Sequence, residues 1–471
     1  MNRERGGQAG AGVWDEEHRR LTMGLLLTIS ITAFEALAVA TVLPETATDL
    51  AAGDLGWYGW VFSGFMLSNL VGIPAAGSLA DRGGPARPFI VGSILFMIGL
   101  LIAGAAPSMP CVVIGRIAQG FGAGALSSVA YVAVARGYAP ADQPRMLALL
   151  ASAWVVPGLM GPTAAATLAG QFGWRSVFLV LVPMTAVASW LAVRGLRELA
   201  PSDGPSEESM QMKPALRLAA GAGIAMLAAQ SGQLWVILAS AVVGIAIGLP
   251  ALRQLLPDGT LAAEPGAPAA LAAKALVTFA FFGAEAFLPL ALTVVRGQSL
   301  VMAGFALTAG TLAWTTGAWI QERLVTRVDR TRLVRSGLAL TALAIVGAAG
   351  VLVAPAPTAL AIVSWALAGL GIGVAYSTTT LIVFDLTRDG GEGGAASALQ
   401  LANVLGVAFG TGFGGAALGL ATALGGTEAF GIALVDALML VAALAGLFAA
   451  GRSGLPARSP VLGARAAAPA G

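Results

Sequence analysis

Two carboxylates and one guanidinium stand in stretches of this chain that are otherwise apolar. Glu35 lies inside the run from Leu21 to Leu43, Glu285 inside the run at about 272–295, and Arg116 shortly after the start of an apolar run at Cys111. An ionised side chain in hydrocarbon costs several kcal/mol, roughly, unless it finds a partner or water, so such residues are kept for a task. A carboxylate in that setting can take up and release a proton. A nearby cation favours its ionised form and desolvation favours its neutral form, so cargo or a change of shape can tip the balance. Arg116 needs a carboxylate, carbonyls or water in the bundle, and Glu35 is its natural candidate. A static ion pair, or a protonated Glu35 held in a structural hydrogen bond, would satisfy the same residues.

Other chemistries lack their residues. The chain has one histidine, His18, and one cysteine, Cys111, so neither a histidine metal cluster nor an internal disulfide is available. No metal site, organic cofactor or nucleophile–base pair is indicated, and the chain does not read as an enzyme. With 26 basic and 24 acidic residues and no dense basic stretch, nucleic acid is not an expected partner.

The elements that must position these groups are membrane spans. Hydrophobic residues make up 57% of the chain and charged residues 11%, with a mean hydropathy of +0.83. A soluble domain is roughly 25% charged. The run 21–43 is long enough, at about 1.5 Å per residue, to cross a hydrocarbon core of roughly 30 Å, and Glu35 lies about 21 Å along it. Further runs occupy about 57–80, 88–106, 110–135, 146–169 and 174–193. A pair follows at about 215–231 and 234–252, and a second set of six lies at about 272–295, 300–321, 336–354, 358–384, 395–420 and 429–450. The expectation is an all-α integral membrane protein of fourteen spans. Its parts are a tail (1–20), a six-helix bundle (21–195), a loop with two linker helices (196–270), a second six-helix bundle (271–450) and a tail (451–471). The segment 215–231 is barely long enough to cross, and the pair could instead form an interfacial hairpin.

With both termini cytoplasmic, every basic residue except Arg116, Arg175 and Arg296 falls on the inner side, and the first outer loop carries Glu45, Asp49 and Asp54 without a base. No removable signal peptide is expected, because about twenty polar residues precede the first span and no small-residue cleavage site follows it. The abundance of Ala, Gly and Arg suggests a GC-rich bacterium. The halves also echo each other: Ala33-Phe34-Glu35-Ala36-Leu37 against Gly283-Ala284-Glu285-Ala286-Phe287, and Gly77 to Arg82 against Ala318 to Arg323. Duplication of this kind suits a transporter whose halves rock around a midplane site. By that correspondence Glu285 is the second-half partner of Glu35, and either binds a cationic group of the cargo or carries a second proton. Asp436 and Asp385 are divided between packing and interfacial roles, Gln400 and Asn403 are polar positions in the run 395–420, and Trp154, Trp314, Trp319 and Met160 could line an apolar cavity or simply pack.

Four motifs resemble those of the major facilitator superfamily. Gly77-Ser78-Leu79-Ala80-Asp81-Arg82-Gly83-Gly84-Pro85-Ala86-Arg87 is similar to its G-x-L-a-D-r-x-G-r-k signature between helices two and three, with Pro85 and Ala86 in place of the usual basic pair. Physically, Gly77 lets helices approach, Asp81 can cap a helix or pair with arginine, and Gly84 permits a tight turn. Arg116 with Gln119, Gly120, Gly122 and Ala123 resembles the R-x-x-q-G-x-g-a motif of helix four. Gly158 to Pro162 resembles the antiporter motif g-x-x-x-G-P-x-x-G-G of helix five, with Ala165 and Ala166 for its trailing glycines; Gly158, Gly161 and Pro162 would bend and pack that helix. Trp174-Arg175-Ser176-Val177-Phe178 resembles the W-R-x-x-F that opens helix six.

The first helix resembles the fourteen-span drug/proton antiporter branch. Glu35 through Pro44 occupies the frame L-D-x-T-I-V-N-V-A-L-P with Leu37 for Thr and Ala40 for Asn. The resemblance spans about residues 20 to 450. It implies a proton-coupled exporter of amphipathic or hydrophobic small molecules (drug, natural product or lipid), monomeric in a bacterial inner membrane and driven by the proton gradient rather than by a cofactor. Glu35, Arg116 and Glu285 would serve coupling, and Gly77, Asp81, Arg82, Gly84 and Arg87 the conformational gate. The alternative is a proton-linked importer of a small nutrient.

Overall fold

The computed structural model describes residues 13–51, 57–139, 142–200, 207–228, 234–353, 356–386 and 392–454. All regular elements among them are helices: α1 Glu16–Ala51, α2 Tyr58–Gly83, α3 Ala86–Gly104, α4 Met109–Gly137, α5 Gln143–Ser152, α6 Val155–Phe172, α7 Arg175–Leu179, α8 Leu181–Leu196, α9 Glu207–Ala228, α10 Leu234–Leu255, α11 Ala267–Leu290, α12 Leu300–Leu324, α13 Arg330–Gly350, α14 Ala359–Asp385, α15 Glu392–Ala423 and α16 Glu428–Ser453. A π-helical turn, Ala291–Val295, extends α11. Among the described residues eleven helical segments are long and apolar enough to cross a membrane. The α5–α6 pair, α9 and α10 stand outside that set.

Two of the expected spans are interrupted, for one reason. The run 146–169 divides into α5 and α6 around Ala153, and 174–193 divides into α7 and α8 at Val180. Each break lies just upstream of a proline, Pro157 or Pro183, whose ring crowds the carbonyl four residues earlier and which has no N–H to donate.

Helices α2, α3 and α4 pack together with α1, α6 and α8, and α11 to α16 form a second group. The seam between the groups is made by α1 on α11, α2 on α15 and α6 on α12. Glycine makes it tight, since a Cβ on Gly59 would run into the Cα of Gly415 and one on Gly158 would run into Thr311 Cγ2. Alongside, Ser63 and Thr411 hydroxyls are 3.3 Å apart, Thr163 and Thr308 hydroxyls 2.9 Å, and the Tyr58 ring lies 5.2 Å from that of Phe287. Tyr58, Gly59, Phe287 and Gly304 belong to the end of the bundle away from the start of α1, so the groups are closed against each other there.

Helices α9 and α10 form a hairpin packed through glycine, a Cβ on Gly221 meeting the Gly244 carbonyl at 2.7 Å. The hairpin lies across the seam. Leu218 of α9 and Ala251 of α10 join Leu70 and Val71 of α2 and Val404 and Leu405 of α15 in one buried cluster separate from the main core. It therefore contacts both groups, and any motion of α2 against α15 must repack it.

Candidate functional site

Glu35 on α1 and Arg116 on α4 are 1% and 2% exposed and form an ion pair. The guanidinium also donates from Nε to the Val61 carbonyl at 2.9 Å and from Nη1 to Gln119 Oε1 at 2.6 Å, and it stacks 4.2 Å above the Phe65 ring. The local sequence explains this reach. Gly120 and Gly124 follow Arg116 at helical spacing and seat α4 directly on the α2 backbone, where a Cβ on Gly120 would collide with the Phe65 carbonyl and one on Gly124 with that of Asn69. Helix α2 is thus close enough for its Val61 carbonyl to accept from Arg116. On the opposite face Gly99 and Gly115 seat α3 on α4 in the same manner. Charge, carbonyl, amide and ring together satisfy a cation that hydrocarbon alone would reject.

In the second group Glu285, on α11, is 7% exposed and accepts a hydrogen bond from Trp365 Nε1 on α14 at 3.3 Å. Its carboxylate and that of Glu35 share no hydrogen bond or ion pair. Trp365 stacks on Phe281 at 5.1 Å, Phe281 meets Trp314 edge-on at 5.5 Å, and Trp314 meets Tyr376 at 5.6 Å. Trp314 is therefore part of an aromatic wall formed by α11, α12 and α14, whereas Trp154, Met160 and Trp319 are exposed. Asp436 is buried in α16, and Asp385 pairs with Arg330 where α13 begins and α14 ends.

Sequence reasoning passed over Lys274. Counted with a loop because it stands at the margin of an apolar run, it lies two turns inside α11, 2% exposed. The signal was available in Pro268, which starts a helix well before Lys274.

The loop motif occupies the α2–α3 turn. Gly77 is buried, Arg82 and Arg87 are exposed, and Gly84 holds φ +80° at the helix end, a conformation that favours glycine. The Asp81 side chain lies outside the described residues. Arg136 at the end of α4 donates to the Ala80 carbonyl at 3.3 Å and to that of Ala200 at 3.4 Å, tying α4 to this turn. Of the helix-five residues, Gly158 faces Thr311 and the Pro162 carbonyl faces Gly304 across the seam, while Gly161 faces Phe34 and Leu37 of α1. At the other end Trp174 Nε1 and Arg175 both donate to Asp49, at 3.0 and 2.8 Å, fastening the end of α1 to α7.

The family model for the Major Facilitator Superfamily matches residues 25–411. The chain belongs to that superfamily. Its solved structural neighbours share the major facilitator fold: a bacterial homolog of the human lysosomal transporter Spinster superposes with a TM-score of 0.66 over 93% of this chain and 98% of that one, at 17% identity. A D-xylose–proton symporter superposes with a TM-score of 0.64 at 14% identity, over 93% and 98%. Among relatives by sequence, Multidrug resistance protein 3 of Bacillus subtilis is 30% identical over 38% of this chain and 34% of its own length. Fatty acid resistance protein FarB of Neisseria gonorrhoeae is 30% identical over 33% and 32%. The matched region thus spans about a third of the length of these curated relatives. An MFS-type transporter of Mycobacterium tuberculosis is 26% identical over 82% of this chain and 57% of its own. This major facilitator chain is accordingly a multi-pass membrane protein.

Proposed function

We propose that this transporter exports amphipathic or hydrophobic small molecules in exchange for protons. The observation that carries the reading is the buried Glu35–Arg116 pair, which joins adjacent spans beside the seam where the two helical groups meet. Protonation of Glu35 would release Arg116 to its carbonyl and amide partners and loosen α1 from α4, so proton uptake and the α1–α11 contact can be linked. One proton moving across 100 mV supplies about 2.3 kcal/mol, enough for a gradient of roughly fifty-fold. The names of the partial relatives, multidrug and fatty acid resistance proteins, favour hydrophobic cargo and outward movement.

In this reading the chain is a monomer in a bacterial inner membrane with fourteen crossings, two bundles of six and the α9–α10 pair, and with both termini in the cytoplasm. The closed end of the seam then faces outward. A cysteine replacing Gly232, between α9 and α10, is expected to react with an impermeant maleimide from outside intact cells. Labelling only after permeabilisation would replace the crossing pair with an interfacial hairpin.

The deciding measurement is cargo flux in proteoliposomes under an imposed pH gradient. Uphill movement of an amphiphile against the proton flow is expected, and cargo co-moving with protons would reverse the assigned direction. In the same assay Glu285→Gln separates two roles. Selective loss of cationic cargo, about tenfold or more in KM for a buried charge-assisted contact, marks a cargo site. A changed proton stoichiometry for every cargo marks a second proton carrier. If neither changes, Glu285 is structural.

A further inference from the structure

Arg116 and Lys274 are the two buried cations among the described residues, and they are held differently. Arg116 has a carboxylate. Lys274 has none: its Nζ donates to Thr380 Oγ1 at 2.8 Å and sits 3.2 Å from the centroid of the Tyr376 ring, and no described acidic group pairs with it. Thr380 in turn donates to the Tyr376 carbonyl, so the hydroxyl is oriented with its oxygen toward the lysine. Such a cation–π contact with one hydroxyl offsets only part of what an ammonium loses on burial. Among the described residues the ammonium has no anionic acceptor.

The surroundings indicate what supplies it. Lys274 and Glu285 stand eleven residues apart on α11, close to three full turns, so they share a helix face about 17 Å apart. Between them runs the aromatic series Tyr376, Trp314, Phe281 and Trp365, each ring within 5.6 Å of the next, ending in the Trp365 bond to Glu285. Tyr376, Thr380 and Trp314 are half-buried rather than sealed, which leaves the lysine end of the wall approachable.

We propose that Lys274, with Thr380 and the Tyr376 face, binds the carboxylate of an amphipathic cargo whose apolar body lies against the half-buried Tyr376 and Trp314 rings, so that the cargo class includes long-chain carboxylic acids. The proposal deepens the exporter reading and rests on it for transport, though not for binding. A carboxylate completes the hydrogen bonding of the ammonium, and the alkyl chain covers the part of the Tyr376 and Trp314 rings that the protein leaves open.

The test compares dodecanoate, dodecanol and dodecylamine, which share one apolar body, on the unaltered protein, Lys274→Gln and Lys274→Arg. Binding is read in detergent by quenching of tryptophan fluorescence, and transport in proteoliposomes. Lys274→Gln is expected to weaken dodecanoate binding about tenfold or more and leave the alcohol and amine within about twofold, with Lys274→Arg retaining the preference for the acid. Equal weakening of all three probes, or dodecanoate binding unchanged, overturns the site and leaves Lys274 a packing residue. If the unaltered protein binds dodecanoate through Lys274 but moves no probe, the exporter reading fails while the site stands.

Discussion

Glu35→Gln is expected to abolish uphill, pH-driven transport while cargo exchange down its own gradient persists. Glutamine keeps the size of the side chain and one acceptor oxygen, but it cannot titrate, so only steps that need a proton at this position are lost. The same substitution leaves Arg116, 2% exposed, with the Val61 carbonyl, the Gln119 amide and the Phe65 ring as its partners. Removing one member of a buried pair costs about 3–5 kcal/mol, so the thermal midpoint of the variant should fall. Arg116→Gln combined with Glu35→Gln should recover much of that stability, because no buried charge is then left unpaired, yet remain uncoupled. Stability and coupling thus part company in the double variant. Uphill transport at an unaltered rate by Glu35→Gln would remove the residue from the mechanism.

Gly415→Leu is expected to open the end of the seam that is closed in this structure. A Cβ at Gly415 clashes with the backbone of Gly59, its Cα above all, so no side-chain rotation can relieve it. Overpacking of this kind costs about 1–3 kcal/mol, and each 1.4 kcal/mol or so shifts a two-state population about tenfold. A cysteine in place of Ser63, whose hydroxyl meets that of Thr411 in the same contact, reports the change. It should be poorly reactive toward an impermeant thiol reagent when Gly415 is retained and readily labelled in the Gly415→Leu background, with cargo flux reduced because the closed state has become costly. Gly415→Ala should move in the same direction by less. Equal labelling in both backgrounds would mean that α2 and α15 do not part at this contact during the cycle.

The spans were legible because hydrocarbon imposes a strong and local rule: every backbone polar group must be satisfied within its own helix, so apolar length alone marks the elements. Interruptions were less so. Proline placed the breaks in the fifth and sixth runs, but an apolar count does not weigh a missing donor. Family membership was legible in Gly77 to Arg87, in Gly115 to Gly124 and in Trp174 to Phe178, where sequence patterns coincide with turn, close packing and latch. The Gly158–Pro162 motif carried its small residues but not their partners. That Gly158 and Pro162 face α12 across the seam, while Gly161 faces α1, depends on how two groups of helices meet.

The chain alone dictated that two acids and an arginine would lie in apolar helices, because the apolar length around each marks a span. It determined equally that Arg116 must be compensated. Which groups compensate it was a tertiary matter: Val61 and Phe65 are far from Arg116 in sequence and reach it because Gly120 and Gly124 bring α2 against α4. Tertiary structure also decided the standing of Lys274. At the margin of an apolar run a lysine can extend to the interface, and only the packing of Tyr376 and Thr380 of α14 around it turns a residue that could reach water into a buried cation. The α9–α10 hairpin follows the same division: its apolar length was written in the chain, but its place across the α2–α15 seam arises from burial of Leu218 and Ala251 against side chains of both groups at once.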